Sequence, residues 1–302
     1  MTISSTVINY LRLVRIANVF TTVSNIILGY FFFTNINNLD YFIIAKLILI
    51  SAMLYIGGMV LNDYFDIKID KKERPWRPLS SNKITKKNAL VIILFSFSYS
   101  LIFSFIIGLN TFTVTLIMIT LIVLYNKFLK NTIYGPINMG VIRSLNIVLG
   151  ASQSLLLVED SLLIFDTLFL IPVFSEFFYV YAITILSKNE TKEYFFKFYY
   201  NIFPFIIIYL IIFFVFFFIL LNIFNYLTLI PLLIFFSVIS YSQITLLKKI
   251  ITIEKSVSYL IMMIVMLDSV FITDIVGLYY GLTLSFLLII PILFLSRKIY
   301  MT

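Results

Sequence analysis

Asn62, Asp63, Asp66 and Asp70 place one carboxamide and three carboxylates within nine residues of each other. On a helix at about 100° per residue, Asn62, Asp66 and Asp70 stand at roughly 0°, 40° and 80°, and Asp63 at about 100°, so all four share one face. Carboxylates this close repel one another unless a cation lies among them. Only oxygen donors are offered, which suits Mg²⁺, an ion that keeps several waters and bridges to substrate phosphates. Lys71, Lys72, Arg74, Arg77 and Lys83 follow directly, and their cationic donors match anionic oxygens. The pattern describes a diphosphate site: carboxylates holding Mg²⁺ beside arginine forks. The plainer alternative is a solvated basic loop at a membrane surface. Acidic residues contribute little to the charge bias of such loops, so that alternative leaves the three aspartates unexplained.

The elements that must position these residues follow from composition. The chain has 302 residues, 62% of them hydrophobic and 12% charged, against about 45–50% and about 25% in soluble domains. So much apolar surface does not fit inside one soluble core, and the chain reads as a polytopic, all-α integral membrane protein. It has no cysteine and no histidine, which removes disulfides, Cys/His zinc sites, thiol nucleophiles and imidazole bases. The N-terminus carries Arg12 and Arg15 before a long apolar run and shows no small-residue cleavage site; it reads as a first membrane helix.

A membrane helix needs about 20 mostly apolar residues. Such runs cover 17–35, 41–64, 88–108, 111–127, 135–157, 164–186, 200–222, 226–246, 256–276 and 279–296, which predicts nine or ten spans in a single domain over 1–302. With ten spans, twenty of the 22 Lys and Arg fall in one alternate set of loops; Lys46 and Arg143 lie inside spans. That bias predicts a multi-pass protein of the cytoplasmic membrane with both termini and the Asn62 segment in the cytoplasm. The net charge of +8 is then topology and attraction to lipid headgroups rather than a nucleic-acid surface.

The run Asn62-Asp63-Tyr64-Phe65-Asp66-Ile67-Lys68-Ile69-Asp70 resembles the NDxxDxxxD signature of the UbiA superfamily of intramembrane prenyltransferases. Arg74-Pro75-Trp76-Arg77-Pro78-Leu79 is similar to that family's RPxRPL continuation. The resemblance implies a ring of nine helices around a central cavity open to lipid, with a tenth run as an addition. It implies Mg²⁺ held by Asn62, Asp66 and Asp70 with Asp63 assisting, an isoprenyl diphosphate as donor, and Arg74 and Arg77 neutralising the leaving group. The allylic cation would be captured by a lipophilic acceptor, aromatic or hydroxyl, and sheltered by Tyr and Phe faces. Gly135–Ser152, Tyr181–Glu190 and the segment from Leu267 to the C-terminus look like the EboC-type branch, which is associated with handling or exporting a secondary-metabolite precursor.

Relatives also carry a second Asp-rich motif, resembling DxxxD, at the end of the sixth span. Here that place reads Ser187-Lys188-Asn189-Glu190 with Glu193 and holds no aspartate. Lys188 is expected either to replace the second metal as a fixed positive charge, with Glu190 as a remaining metal ligand, or to be an ordinary loop residue. Lys127 closes the fourth span beside the diphosphate or as an interfacial anchor.

Arg143, Glu176 and Asp268 lie inside spans, where a charge costs about 2.5–3.5 kcal/mol at the bilayer centre. Each should face inward with a partner: an Arg143–Asp268 or Arg143–Glu176 pair, or an Arg143 lining the cavity against diphosphate or acceptor. Asn138 and Asn146 would extend that polar lining. Asn18 and Asn25 are each expected to contact the substrate or to hydrogen-bond a neighbouring helix, with the second favoured for Asn18 and neither favoured for Asn25. Two functions follow: a Mg²⁺-dependent prenyltransferase, or a transporter or lipid-handling protein that keeps the fold and the first motif without turnover.

Overall fold

The computed structural model describes residues 5–153, 167–188 and 197–296. Among them every regular element is helical: α1 (Ser5–Leu13), α2 (Ile16–Phe33), α3 (Tyr41–Glu73), α4 (Lys86–Ile107), α5 (Leu109–Leu124), α6 (Tyr134–Ala151), α7 (Thr167–Ser187), α8 (Lys197–Leu220), α9 (Leu229–Leu247), α10 (Ile253–Val276) and α11 (Leu278–Ser296). Side-chain caps begin several of them. Asp40 accepts the N–H groups of Phe42 and Ile43, and Thr85 and Thr252 accept those of Asn88 and Lys255. Each cap satisfies N–H groups that the first turn leaves without a carbonyl.

Nine of these helices are long and apolar enough to cross a membrane: α2 to α5 and α7 to α11. Their outer faces are phenylalanine, leucine and isoleucine, among them Phe95, Ile102, Phe105, Phe213, Phe214, Phe286 and Ile290, all exposed. An apolar surface of that extent is stable against lipid tails and unstable in water. The expected all-α, multi-pass architecture is what the chain adopts.

Each helix from α2 to α11 packs on its neighbour in sequence, and α10 returns to pack on α2 and α7. One apolar core runs through α7 to α11 and a second through α3 to α5, and α2 and α6 contribute to both. α10 is enclosed on all sides, with every residue from Met262 to Thr273 buried. α6 stands where the fifth span was expected, but Asn138, Arg143 and Asn146 interrupt its apolar run. It lies between α2 and α7, so Arg143 and Asn146 find protein partners instead of lipid, while Asn138 is buried with its Oδ1 unpaired among the described residues.

α2 and α6 approach closely because glycines meet backbone. A Cβ on Gly29 would stand 1.9 Å from the Ile147 carbonyl oxygen, and one on Gly150 would stand 2.3 Å from that of Ile26. Small residues let membrane helices approach this way. Neither carbonyl can retreat without breaking its own helix, so Gly29→Ala is expected to destabilise the fold by about 3 kcal/mol or more. A thermal unfolding series in detergent, with an alanine placed on the lipid face as control, reads that loss.

The N-terminus departs from a simple leader into the first span. α1 is a separate helix, and Arg15 breaks the chain between α1 and α2 in the left-handed region, at φ 47° and ψ 54°. That backbone costs a non-glycine residue roughly 1–2 kcal/mol. The side chain so aimed reaches across to α3.

Candidate active site

α3 has 33 residues and is about 50 Å long, against a hydrocarbon core of about 30 Å. Its last turns, from Asn62 onward, therefore reach the end of the bundle. Arg74 closes the helix with its N–H on the Asp70 carbonyl at 2.9 Å, and Pro75 and Pro78 prevent continuation. The chain then folds back under hydroxyl ties. Ser80 Oγ donates to the carbonyls of Arg74 and Arg77, each at 3.0 Å, and Ser81 Oγ donates to that of Arg77 at 2.8 Å. This turn carries the Arg77 side chain inward until the residue is buried.

Arg77 Nη1 donates to Asp63 Oδ1 at 3.3 Å and to both oxygens of Asp70, at 3.2 and 2.9 Å. Arg15 Nη2 reaches the same Asp63 oxygen at 3.3 Å. Asp63 and Asp70 are buried at 2% and 3% exposure, so the two guanidinium groups hold two carboxylates out of solvent.

Asn62 and Asp66 form the neighbouring strip of the same face and meet a different cation. Tyr125–Leu129 makes one π-helical turn after α5, and Lys130 follows it. Lys130 Nζ donates to Asn62 Oδ1 at 2.5 Å and also to Asp66 Oδ2. This part of the site is more open, with side-chain exposures of 29% for Lys130 and 14% for Asp66.

The single polar face is thus divided in two. Asn62 and Asp66 converge on one point where a cationic group already stands, and a hard cation there would receive two protein oxygens. The expected set of Asn62, Asp66 and Asp70 is not gathered, because Asp70 faces Arg77; among the described residues no three acids group around one point. The donor chemistry fits Mg²⁺ through Asn62 and Asp66, with the remaining positions left to water and phosphate oxygens, as Mg²⁺ prefers.

Lys188 Nζ donates to the Thr132 carbonyl at 2.7 Å and braces the α5–α6 connection. Lys127 is exposed, its ammonium 4.9 Å from the centre of the Phe128 ring. Glu190 lies outside the described residues. Arg143 sits deeper, with Nε 3.1 Å from Glu176 Oε1 and Nη2 2.5 Å from the Thr21 carbonyl. Of the two pairings expected for Arg143, the Glu176 one forms.

Asp268 instead accepts from Asn25 Nδ2, at 3.0 and 2.8 Å, so of the two alternatives for Asn25 the neighbouring-helix bond forms. Asn18 contacts Tyr55 of α3, the neighbouring-helix bond expected of it. Asn146 receives Ser51 Oγ at 2.6 Å and donates to the Thr22 carbonyl at 3.0 Å. Deep polar groups on α2, α3, α6, α7 and α10 are therefore linked across helices, as polar atoms away from water must be.

Sequence reasoning passed over Arg15 and Lys130. Both were absorbed by the bias of basic residues to one side. For Arg15 a signal existed, since it abuts an apolar run with no acid in α1 or α2 to pair with. For Lys130 the sequence carries none that separates it from Lys127.

Known proteins share this architecture. The model of the UbiA prenyltransferase family matches residues 22–193, more than half of the chain. A digeranylgeranylglyceryl phosphate synthase from Saccharolobus solfataricus is 29% identical over 147 residues, which cover 47% of this chain and 50% of that protein. The chain spans about half the length of the curated relatives it matches. Among solved structures, a UbiA homologue from Aeropyrum pernix K1 superposes with a TM-score of 0.65 at 10% identity, covering 85% of this chain and 97% of that one. A UbiA homologue from Archaeoglobus fulgidus bound to DMAPP and Mg²⁺ gives a TM-score of 0.53 at 16% identity, covering 96% and 99%. These identities speak to the fold, and the family match speaks to descent: the chain belongs to the UbiA prenyltransferase family.

Proposed function

We propose that the protein is a Mg²⁺-dependent intramembrane prenyltransferase acting as one domain over 1–302. It moves an isoprenyl group from an allylic diphosphate to a lipophilic acceptor. The observation that carries this reading is the meeting of Asn62, Asp63, Asp66 and Asp70 with Arg15, Arg77 and Lys130 at one end of the bundle. An ordinary basic loop has no use for buried aspartates. The side on which basic loops gather supports a cytoplasmic position for this end, and the membrane would be the cytoplasmic one.

Mg²⁺, held by Asn62 and Asp66, would supply the charge that neutralises bridged phosphate oxygens. Arg77, fixed by Asp63 and Asp70, offers remaining N–H groups to the diphosphate, and Arg74 stands in the same turn. As the allylic carbon–oxygen bond breaks, the electron pair leaves with the diphosphate, and these cations stabilise it more than they stabilise the intact ester. The acceptor then bonds to the allylic carbon and loses its proton. No histidine is required, since the cation is electrophilic enough to be attacked before the proton departs.

The name of the curated relatives makes a glyceryl phosphate lipid the first acceptor to try, and the bound DMAPP and Mg²⁺ of the Archaeoglobus homologue make a diphosphate ester and a divalent ion natural ligands here. The second reading, a non-catalytic carrier of an EboC-type pathway, draws on Lys188 standing where relatives carry acids and bonding the Thr132 carbonyl. Equilibrium binding of geranylgeranyl diphosphate to the purified protein, with Mg²⁺ and with EDTA, tests the site. Binding that requires Mg²⁺ is expected; no binding in either condition would remove the diphosphate site.

A further inference from the structure

The ammonium of Lys130 stands where a metal ion would. Its Nζ meets Asn62 Oδ1 and Asp66 Oδ2 together, the two oxygens of the face that Arg77 leaves available. We infer that Lys130 is a tethered cation that fills the Asn62–Asp66 position in the free protein, so that a divalent ion is taken up only together with a diphosphate ester. This rests on the diphosphate reading of the site given above.

The backbone that delivers Lys130 is held from several sides. Its own N–H bonds the Tyr125 carbonyl at 2.9 Å, and the Leu129 carbonyl accepts from the Thr132 N–H at 2.9 Å and the Thr132 hydroxyl at 2.8 Å. Lys188 then ties the Thr132 carbonyl to the end of α7 at 2.7 Å. The start of α6 presses on the same turn, where a Cβ on Gly135 would stand 2.9 Å from the carbonyl oxygens of Leu129 and Lys130. The ammonium is therefore aimed by a fixed turn, while its partly exposed, flexible stem lets it swing aside.

A divalent ion cannot share that point with the ammonium. In the free protein the ion must displace it, and its apparent affinity falls by the fraction of time the position is open. An incoming diphosphate changes the balance, because it brings negative charge for both cations. Arg15 and Arg77 are no such tenants: they are engaged with Asp63 and Asp70.

Trp76 is the chain's single tryptophan and lies in the turn between Arg74 and Arg77, so quenching of its fluorescence by paramagnetic Mn²⁺ reports on this site. Mn²⁺ is titrated into wild type, Lys130→Met and Asp66→Asn in detergent, without ligand and with an inert allylic thiolodiphosphate. Without ligand, Lys130→Met is expected to bind at least about tenfold tighter than wild type. With the thiolodiphosphate present, the two are expected to converge, and Asp66→Asn is expected to bind weakly throughout. Lys188→Met, which loosens the brace and keeps the ammonium, should fall between wild type and Lys130→Met and serves if the latter does not fold. Equal midpoints for wild type and Lys130→Met without ligand, alongside normal binding with the thiolodiphosphate, would overturn the role of Lys130 and leave the diphosphate site standing. Quenching in no protein under either condition would remove the site itself and this inference with it.

Discussion

Asp66→Ala is expected to lower the proposed Mg²⁺-dependent release of diphosphate by about 10²–10³-fold, equivalent to roughly 3–4 kcal/mol of barrier, while the protein keeps its thermal stability. The loss is large because, among the described residues, Asp66 is the carboxylate of its face that pairs with an ammonium rather than a guanidinium, and Asn62 alone offers a neutral oxygen. The retained stability follows from exposure: Asp66 and its partner Lys130 are both partly open to solvent, and breaking such a pair costs about 0–1 kcal/mol. Rates of inorganic diphosphate release, measured beside unfolding midpoints for both proteins, separate the two effects. A parallel fall in stability and rate would mean that Asp66 is structural.

Arg77→Met has the opposite signature. Arg77 is buried, and its Nη1 serves two carboxylates that are 2% and 3% exposed. Removing the guanidinium leaves Asp70 without its ion-pair partner and Asp63 with Arg15 alone. Breaking a buried pair in this way costs about 3–5 kcal/mol, so the variant is expected to unfold far more readily in detergent. Adding Asp70→Asn to Arg77→Met removes the charge left behind and should restore a substantial part of the loss. Two changes in one network couple rather than add. If the single variant is as stable as wild type, Arg77 is held on Asp63 and Asp70 too weakly to fix the turn that carries it.

The architecture was legible because it rests on composition and on one periodicity. Apolar runs of about 20 residues have few alternatives to membrane helices, and the 100° step put Asn62, Asp63, Asp66 and Asp70 on one face before any fold was known. The division of that face was not legible. It depends on which cation reaches which acid, and Arg77, Arg15 and Lys130 arrive from a turn, from a left-handed break in α1–α2 and from a π-helical turn after α5. None of those backbone choices is set by local pattern alone.

α6 teaches the same lesson from another side. Gly140, Arg143, Asn146 and Gly150 read as defects in an apolar span, yet each is explained once α2 and α7 lie against it, through a close backbone approach or a cross-helix bond. The choice between the two roles of Asn25 was not legible because its partner, Asp268, is 243 residues away on α10.

The central claim is that this site breaks an allylic carbon–oxygen bond. Its most direct test is release of inorganic diphosphate from geranylgeranyl diphosphate by the purified protein, supplied with a glyceryl phosphate lipid acceptor and assayed with Mg²⁺ and with EDTA. Diphosphate released in Mg²⁺ alone, with the prenyl group recovered on the lipid, is the result expected. Tight Mg²⁺-dependent binding of the intact ester, with neither diphosphate released nor prenyl group transferred to this or any other lipophilic acceptor, would contradict it and make the protein a carrier.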